Sequence, residues 1–215
     1  METALKRPWL ILLVAIPTLA GCALTTARVD LAYLPDSAKK SPLSTLKPMT
    51  IALQIDDQRE IGERDKVGNK KNGFGMVTAP VVSNREVTAV VYNALKNELE
   101  NNGHKVVAVP TESRADLTIT ARLKKYWSDS TIHLFDIEMT GTVIAEVAVV
   151  SPQNNTVLGQ KVVNGTFTES RQIALDGAFE GVLNGALGEF VRTFSRDPTL
   201  LDALRRVAPK PASGG

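Results

Sequence analysis

Cysteine is almost absent from this sequence of 215 residues, which has only Cys22. One cysteine excludes an intrachain disulfide, and two unpaired histidines do not supply a zinc site, so we predict neither a metal nor a cofactor. Aromatic residues make up only 5%, so the core must consist mainly of Val, Leu, Ile and Ala. The formal net charge is only +2, which argues against nucleic acid as a partner. No apolar run after Cys22 is long enough to span a bilayer.

The N-terminus carries the clearest motif. Lys6 and Arg7 precede an almost wholly apolar run over residues 9–20, and Leu19-Ala20-Gly21-Cys22 follows. This order resembles a bacterial lipobox, which implies that residues 1–21 are a cleaved signal peptide and that Cys22 is acylated. Two or more acyl chains anchor a protein stably, whereas one binds only marginally. The alternative is a secretory signal that ends near a buried cysteine.

Residues 22–48 contain three prolines and many small or polar residues, which predicts a lipidated tether. Ala23 follows Cys22 at the position where many inner-membrane lipoproteins carry Asp. By analogy with known sorting rules, we expect the periplasmic face of the outer membrane in a Gram-negative host.

Hydrophobic periodicity predicts a β-α-β unit followed by an antiparallel meander. The first unit combines strands over 49–55 and 104–109 with a helix that begins at a Ser83–Glu86 capping box. The meander strands span 116–126, 137–149 and 157–167, with Gly159 and Gly165 as possible bulges. A second helix is expected over 171–194, and Asp197-Pro198 opens a short last helix.

These elements predict an α/β (α+β) fold, a two-layer sandwich. Its mixed sheet has four or five strands, and its two main helices lie on one face. The predicted domain spans residues 49–196, followed by a short helix and a disordered tail over 197–215. The long polar segment over 57–84 is interpreted as functional, mobile or a hidden hairpin.

The order of elements resembles the YajG-type family of small bacterial lipoproteins over residues 22–194. Three features carry the resemblance: the Ile-Ala-Leu-Gln-Ile-Asp-Asp-Gln-Arg segment at 51–59, the Gly-rich stretch that ends at Gly75, and the helix end at 95–103. That family has no established activity, so the resemblance implies no catalytic residues.

Asp56, Asp57 and Arg59 form the cluster of ionisable residues that is the first candidate for a site. Adjacent strand residues point to opposite faces, so the two carboxylates are not expected to converge as an acid/base pair. We favour a structural role, in which an aspartate caps loop amides and pairs with Arg59. A cation site completed by Asn69 or Asn72 is the alternative.

Two further features are candidate binding surfaces. Trp127 is predicted to lie near a hairpin tip, where it either packs across strands or contacts a glycan or a protein. Gly177, Gly181 and Gly185 share one stripe of the second helix, which predicts a groove for another backbone or tolerated packing.

No nucleophile, base and orienting group can be assembled, so we predict that the protein is not an enzyme. The leading hypothesis is a lipid-anchored envelope lipoprotein that acts as a protein-binding adaptor or accessory subunit. Its expected partners are the membrane, through acyl chains on Cys22, and an envelope protein or a second copy. The alternative is a module that binds glycan, peptidoglycan fragments or a small ligand.

Overall fold

The computed structural model describes residues 24–33, 35, 38–108, 115–172 and 176–207. The predicted signal peptide, Cys22 and the tail over 210–215 lie outside this part. The elements in chain order are β1 (Ala27–Val29), β2 (Thr50–Asp57), β3 (Gly68–Lys71), β4 (Val77–Ser83), α1 (Val87–Asn101), β5 (Lys105–Ala108), β6 (Leu117–Ile132), β7 (Ile137–Ser151), β8 (Thr156–Arg171), α2 (Asp176–Arg196) and α3 (Pro198–Arg205). Two 3-10 turns, Pro42–Thr45 and Ile61–Glu63, precede β2 and β3.

Strand β6 is the central strand of a mixed sheet that contains all eight described strands. One edge of β6 pairs antiparallel with β7 along its whole length, and β8 follows β7. The other edge pairs in parallel with β2 up to Leu123 and then with β3 at Ser128. Strand β5 extends the sheet beyond β2, whereas β4 and β1 extend it beyond β3.

The three helices cover one face of the sheet. Alternation within the long strands places a row of small and branched residues on this face, among them Leu117, Ile119, Val143, Ala145 and Val147. The apolar stripe of α2 packs on that row. Gly141 and Gly165 lie directly beneath α2, and a Cβ at either position would overlap the helix backbone. Glycine is needed there because it lets the helix and the sheet approach closely.

The fold class, the antiparallel meander and the placement of the helices on one face are confirmed. The predicted number of strands is too small, because the sheet has eight strands rather than four or five. The additional strands are β1, within the predicted tether, and the β3–β4 hairpin, within the long polar segment. Each of these strands is short and lacks a long alternating pattern, so it is not visible in the sequence without the strand with which it pairs.

The segment predicted as a tether is largely part of the domain. Strand β1 pairs in parallel with β4, and the side chains of Leu31 and Leu43 are completely buried. The amides of Asp30 and Ala32 also donate to side chains of α2. At the other end, α3 buries its leucines in the same core, so the domain extends beyond the predicted 49–196 in both directions.

Several local predictions are corrected by the hydrogen bonds. The Ser83–Glu86 capping box is wrong: Ser83 ends β4, and Glu86 precedes α1 without a side-chain cap. Helix α2 begins at Asp176 rather than near residue 171, because β8 continues to Arg171. Gly165 is not a bulge, whereas the register does shift beside Gly159. The cap by Asp197 is confirmed, since its Oδ1 accepts from the Leu200 amide at 3.1 Å.

Candidate functional site

Arg59 holds together the loop between β2 and β3. The chain leaves the edge of β6 after Asp57 and returns at Gly68. The guanidinium of Arg59 is buried and donates to Asp57 Oδ1 at 3.0 Å and Oδ2 at 2.8 Å. Its Nη1 and Nη2 also donate to three backbone carbonyls of this loop, those of Glu63, Arg64 and Lys66, at 2.8–3.3 Å. This geometry is that of a structural clamp.

Asp56 takes no part in this clamp. It accepts a hydrogen bond from Gln54 and lies beside Arg122 on the opposite face of the sheet, as strand alternation predicted. Burial raises the pKa of Asp57, but hydrogen bonds and the charge of Arg59 outweigh it and hold the pKa below its usual range. Among the described residues, no group of three or more His, Cys, Asp or Glu side chains is placed to hold a metal ion.

The outer face of β6, β7 and β8, which we call the open face, has no covering helix. Trp127 lies in its middle, half-buried and aligned with Thr142 and Thr166 on the neighbouring strands. Trp127 is therefore in mid-strand, not near the hairpin tip, which comprises residues 133–136. A shallow cavity of about 230 Å³ adjoins it, lined by Lys125, Trp127, Asp129, Thr131, Glu138, Thr140 and Thr142. A hydrogen bond from Lys71 lowers the pKa of Asp129, so this carboxylate stays ionised in its ion pair with Lys71.

Strand β8 is the long edge of the sheet. Over its 16 residues it pairs with β7 only, so its other edge has no strand partner among the described residues. Val162, on the open face of this strand, is 59% exposed. A long unpaired edge exposes backbone donors and acceptors to which another strand can add.

The glycine stripe of α2 is not a continuous groove. A Cβ added at Gly185 would lie 2.5 Å from Cγ of Phe167, so β8 of the same chain covers this position. At Gly181 the nearest atom would be Glu169 Oε2 at 3.8 Å, and at Gly177 nothing lies within 4 Å. The predicted groove is therefore closed at Gly185 and open at Gly177 and Gly181.

A cationic cleft lies where Tyr33 and residues 39–41 meet α1 and α2. It has a volume of about 450 Å³ and is lined by Tyr33, Lys39, Lys40, Ser41, Glu98, Gly188, Arg192, Ser195 and Arg196. Glu98 is buried and accepts from Tyr33 Oη at 3.1 Å and from Asn102 Nδ2 at 3.0 Å. Burial and the adjacent Glu98 raise the pKa of Tyr33, so its hydroxyl stays protonated.

Sequence comparison assigns the family. Residues 37–205, more than three quarters of the chain, match a family described as uncharacterised lipoprotein. The chain belongs to this family. No curated protein matches this lipoprotein. Among its described residues, no helix is both long and apolar enough to cross a bilayer.

One of three similar solved structures shares the fold of this lipoprotein. A Xanthomonas campestris protein of the DUF330 family has a TM-score of 0.54 at 12% identity, covering 78% of this chain and 90% of its own. A Neisseria meningitidis lipoprotein scores 0.34 at 12% identity, covering 65% and 96%. A minor lipoprotein from Acinetobacter baumannii scores 0.39 at 12% identity, covering 68% and 89%. The similarity to the Xanthomonas protein shows a common fold, and the other two similarities are too weak to show one.

The sequence does not reveal the cleft or the β8 edge of this lipoprotein. Lys39 and Lys40 adjoin in sequence, and Arg192 and Arg196 lie four residues apart on one helix, which is a visible signal for two local cationic patches. Only the packing of Tyr33 and residues 39–41 against the helices brings these patches together. Likewise, β7 and β8 both alternate, and nothing in that pattern indicates which strand lies at the edge.

Proposed function

We propose that this lipoprotein is anchored through acyl chains on Cys22 and binds an envelope protein as a non-enzymatic adaptor or accessory subunit. The proposed location is the periplasmic face of the outer membrane. The match to a lipoprotein family and the lipobox support the anchor. The resemblance to YajG-type lipoproteins belongs to the same proposal.

The unpaired edge of β8 is the observation that carries the adaptor role. A partner strand that adds to this edge gains main-chain hydrogen bonds along up to 16 residues. Two further long strands, β6 and β7, lie behind the edge, so little backbone order would have to be acquired on binding. We therefore infer that the partner contributes an extended segment.

The open face next to this edge would select the partner. Trp127 is half-buried in line with Thr142 and Thr166, and Val162 is exposed on the same face. Tryptophan at a partly desolvated position is typical of residues that dominate binding energy. The side chains of an added strand would contact Val162 directly, whereas Trp127, two strands further in, would contact a part of the partner that lies over this face.

Co-purification from detergent-solubilised envelopes tests the adaptor. Val162→Lys places a charge on the open face of the edge strand, and Glu100→Lys introduces the same residue at an exposed position on α1, beside Lys96. We expect Val162→Lys to lose a stoichiometric protein partner, or a second copy, that the wild type and Glu100→Lys retain. Equal recovery in all three proteins would contradict the proposal.

The cationic cleft favours a second candidate function, the binding of an anionic small ligand such as a carboxylate-bearing peptidoglycan fragment. Four cationic side chains line it, and Ser41 Oγ is buried with no hydrogen-bond partner within the described part of the chain. A buried hydroxyl without a partner is costly and is relieved by a ligand atom. Such a ligand would bind between residues 39–41 and α2.

Calorimetric titration with a soluble muropeptide distinguishes the two functions. Saturable binding that Arg192→Gln abolishes and Val162→Lys leaves unchanged would assign the ligand to the cleft. Heat signals that do not saturate would rule out the second candidate.

A further inference from the structure

Two turns of the sheet expose large apolar side chains that neither proposed function uses. The β3–β4 turn exposes 89% of Phe74 and 59% of Met76. The β6–β7 turn exposes 87% of Leu134 and 86% of Phe135. Isolated exposed apolar residues are ordinary, but four such side chains on two adjacent turns indicate a surface that is covered in the working protein.

Both turns project from the same end of the sheet. Strands β3 and β6 run in parallel, with Gly68 opposite Ser128. Further along, Lys71 Nζ donates to Asp129 Oδ1 at 2.5 Å and to the Ser130 carbonyl at 2.9 Å. Strand β3 ends at Lys71 and β6 ends at Ile132, so the two turns begin next to each other.

The N-terminal chain enters the domain from this end. Strand β1 runs parallel to β4, with Ala27 opposite Val81, and β4 begins at the turn with Val77. The chain before Ala27 therefore lies towards the turns, and Leu24 there is 69% exposed. Cys22 precedes Ala27 by five residues, which span about 17 Å at most. An acyl group on Cys22 is thus held within a short reach of both turns.

Hydrogen bonds within the turns lower the cost of moving their backbone into an apolar medium. In the β3–β4 turn, Asn72 Oδ1 accepts from the amides of Phe74 and Met76, both at 3.0 Å. The amide of Gly75 donates to the Asn72 carbonyl at 2.8 Å, and its φ of +78° explains the glycine. In the β6–β7 turn, the His133 amide donates to the Asp136 carbonyl at 2.8 Å. Unpaired amides make insertion costly, and these hydrogen bonds reduce that cost.

We propose that the β3–β4 and β6–β7 turns insert into the headgroup–acyl boundary of the leaflet that carries the lipid of Cys22. This inference depends on the proposed anchor. Transfer of apolar side chains from water into such a boundary is favourable. The anchor raises their local concentration at the membrane, so weak binding is enough to keep the turns inserted. The lysines beside the turns are already paired, Lys71 with Asp129 and Lys70 with Asp176, so their insertion cost is reduced. The β7–β8 turn then points away from the membrane.

Single-tryptophan reporters in the acylated protein test this orientation. Trp127→Phe removes the tryptophan of the domain, and Phe74→Trp or Phe135→Trp then places a reporter on each turn. Gln153→Trp, on the opposite β7–β8 turn, is the matched control. The proteins are reconstituted into phosphatidylethanolamine–phosphatidylglycerol vesicles with acyl chains brominated near the headgroup.

We expect blue-shifted and strongly quenched emission at positions 74 and 135, and unshifted, unquenched emission at 153. In the 135 reporter, Phe74→Asp should reduce the quenching, because a carboxylate opposes joint insertion. An acylated protein whose 74 and 135 reporters are not quenched, or whose 153 reporter is quenched equally, would overturn the docking. The mass of the N-terminal peptide is measured in the same samples, and an unacylated Cys22 would instead refute the anchor and the docking with it.

Discussion

A single methyl group at Gly165 should loosen the contact between the sheet and α2. In Gly165→Ala the new Cβ would overlap the Phe190 nitrogen and the Ala186 carbonyl oxygen and would lie 2.6 Å from Phe190 Cα. All three are backbone atoms, so no side-chain rotation relieves the clash and the helix itself must move. Overpacking usually costs about 1–3 kcal/mol. With backbone on every side, we expect about 3 kcal/mol, which lowers Tm by roughly 6–12 °C for a domain of this size.

Gly181→Ala is the matched control, because it adds the same methyl group on the exposed side of α2. Its nearest neighbour would be Glu169 Oε2 at 3.8 Å, an ordinary contact distance. Alanine is better than glycine in a helix by about 0.5–1 kcal/mol, so Tm should rise by a few degrees. Circular dichroism during reversible thermal unfolding measures both variants. A Gly165→Ala protein as stable as the wild type would refute the account of close helix–sheet packing.

Three other predictions concern the clamp, the pH dependence and the anchor. Arg59→Met leaves three loop carbonyls without their donor, so trypsin should cut rapidly after Arg64 or Lys66, whereas Arg122→Met, at an exposed ion pair, should leave the digestion pattern unchanged; an intact loop in Arg59→Met would contradict the clamp. Burial lowers the pKa of His104, and the Leu43 carbonyl offsets this only partly, so on acidification the unfolded chain takes up the proton before the folded chain does. The contribution of His104 to the free energy of unfolding is therefore full above pH about 6.5 and is lost as the pH falls. Urea titrations should show a smaller loss of stability between pH 7 and 5 in His104→Gln than in the wild type, and equal losses would refute this assignment. Cys22→Ser should lack acyl groups and leave the membrane fraction after a high-salt wash, and a variant that still sediments with membranes would argue against the anchor.

The parts of the fold that the sequence predicts are those whose burial repeats locally. Strands β6, β7 and β8 alternate along their length, and α2 repeats its apolar residues at helical spacing, so each pattern is visible without its neighbours. The cap at Asp197 is equally local, because the cap and the amide it binds lie three residues apart.

The features that were missed depend on distant partners. Strand β1 has only three residues, and its structure depends on pairing with β4. The pairing of Arg59 with Asp57 was predicted, but its bonds to the loop carbonyls require the chain to curve back around the guanidinium. Sequence spacing also could not show that Phe167 of β8 covers Gly185 of α2.

Photo-crosslinking in intact envelopes tests the adaptor role most directly. A benzophenone amino acid replaces Thr166, which lies on the open face of β8 beside Thr142 and Trp127, and Glu100 on α1 is the control position. We expect one discrete protein adduct from position 166 and none from position 100. No adduct from position 166, or the same adducts from both positions, would contradict binding of a partner at the β8 edge.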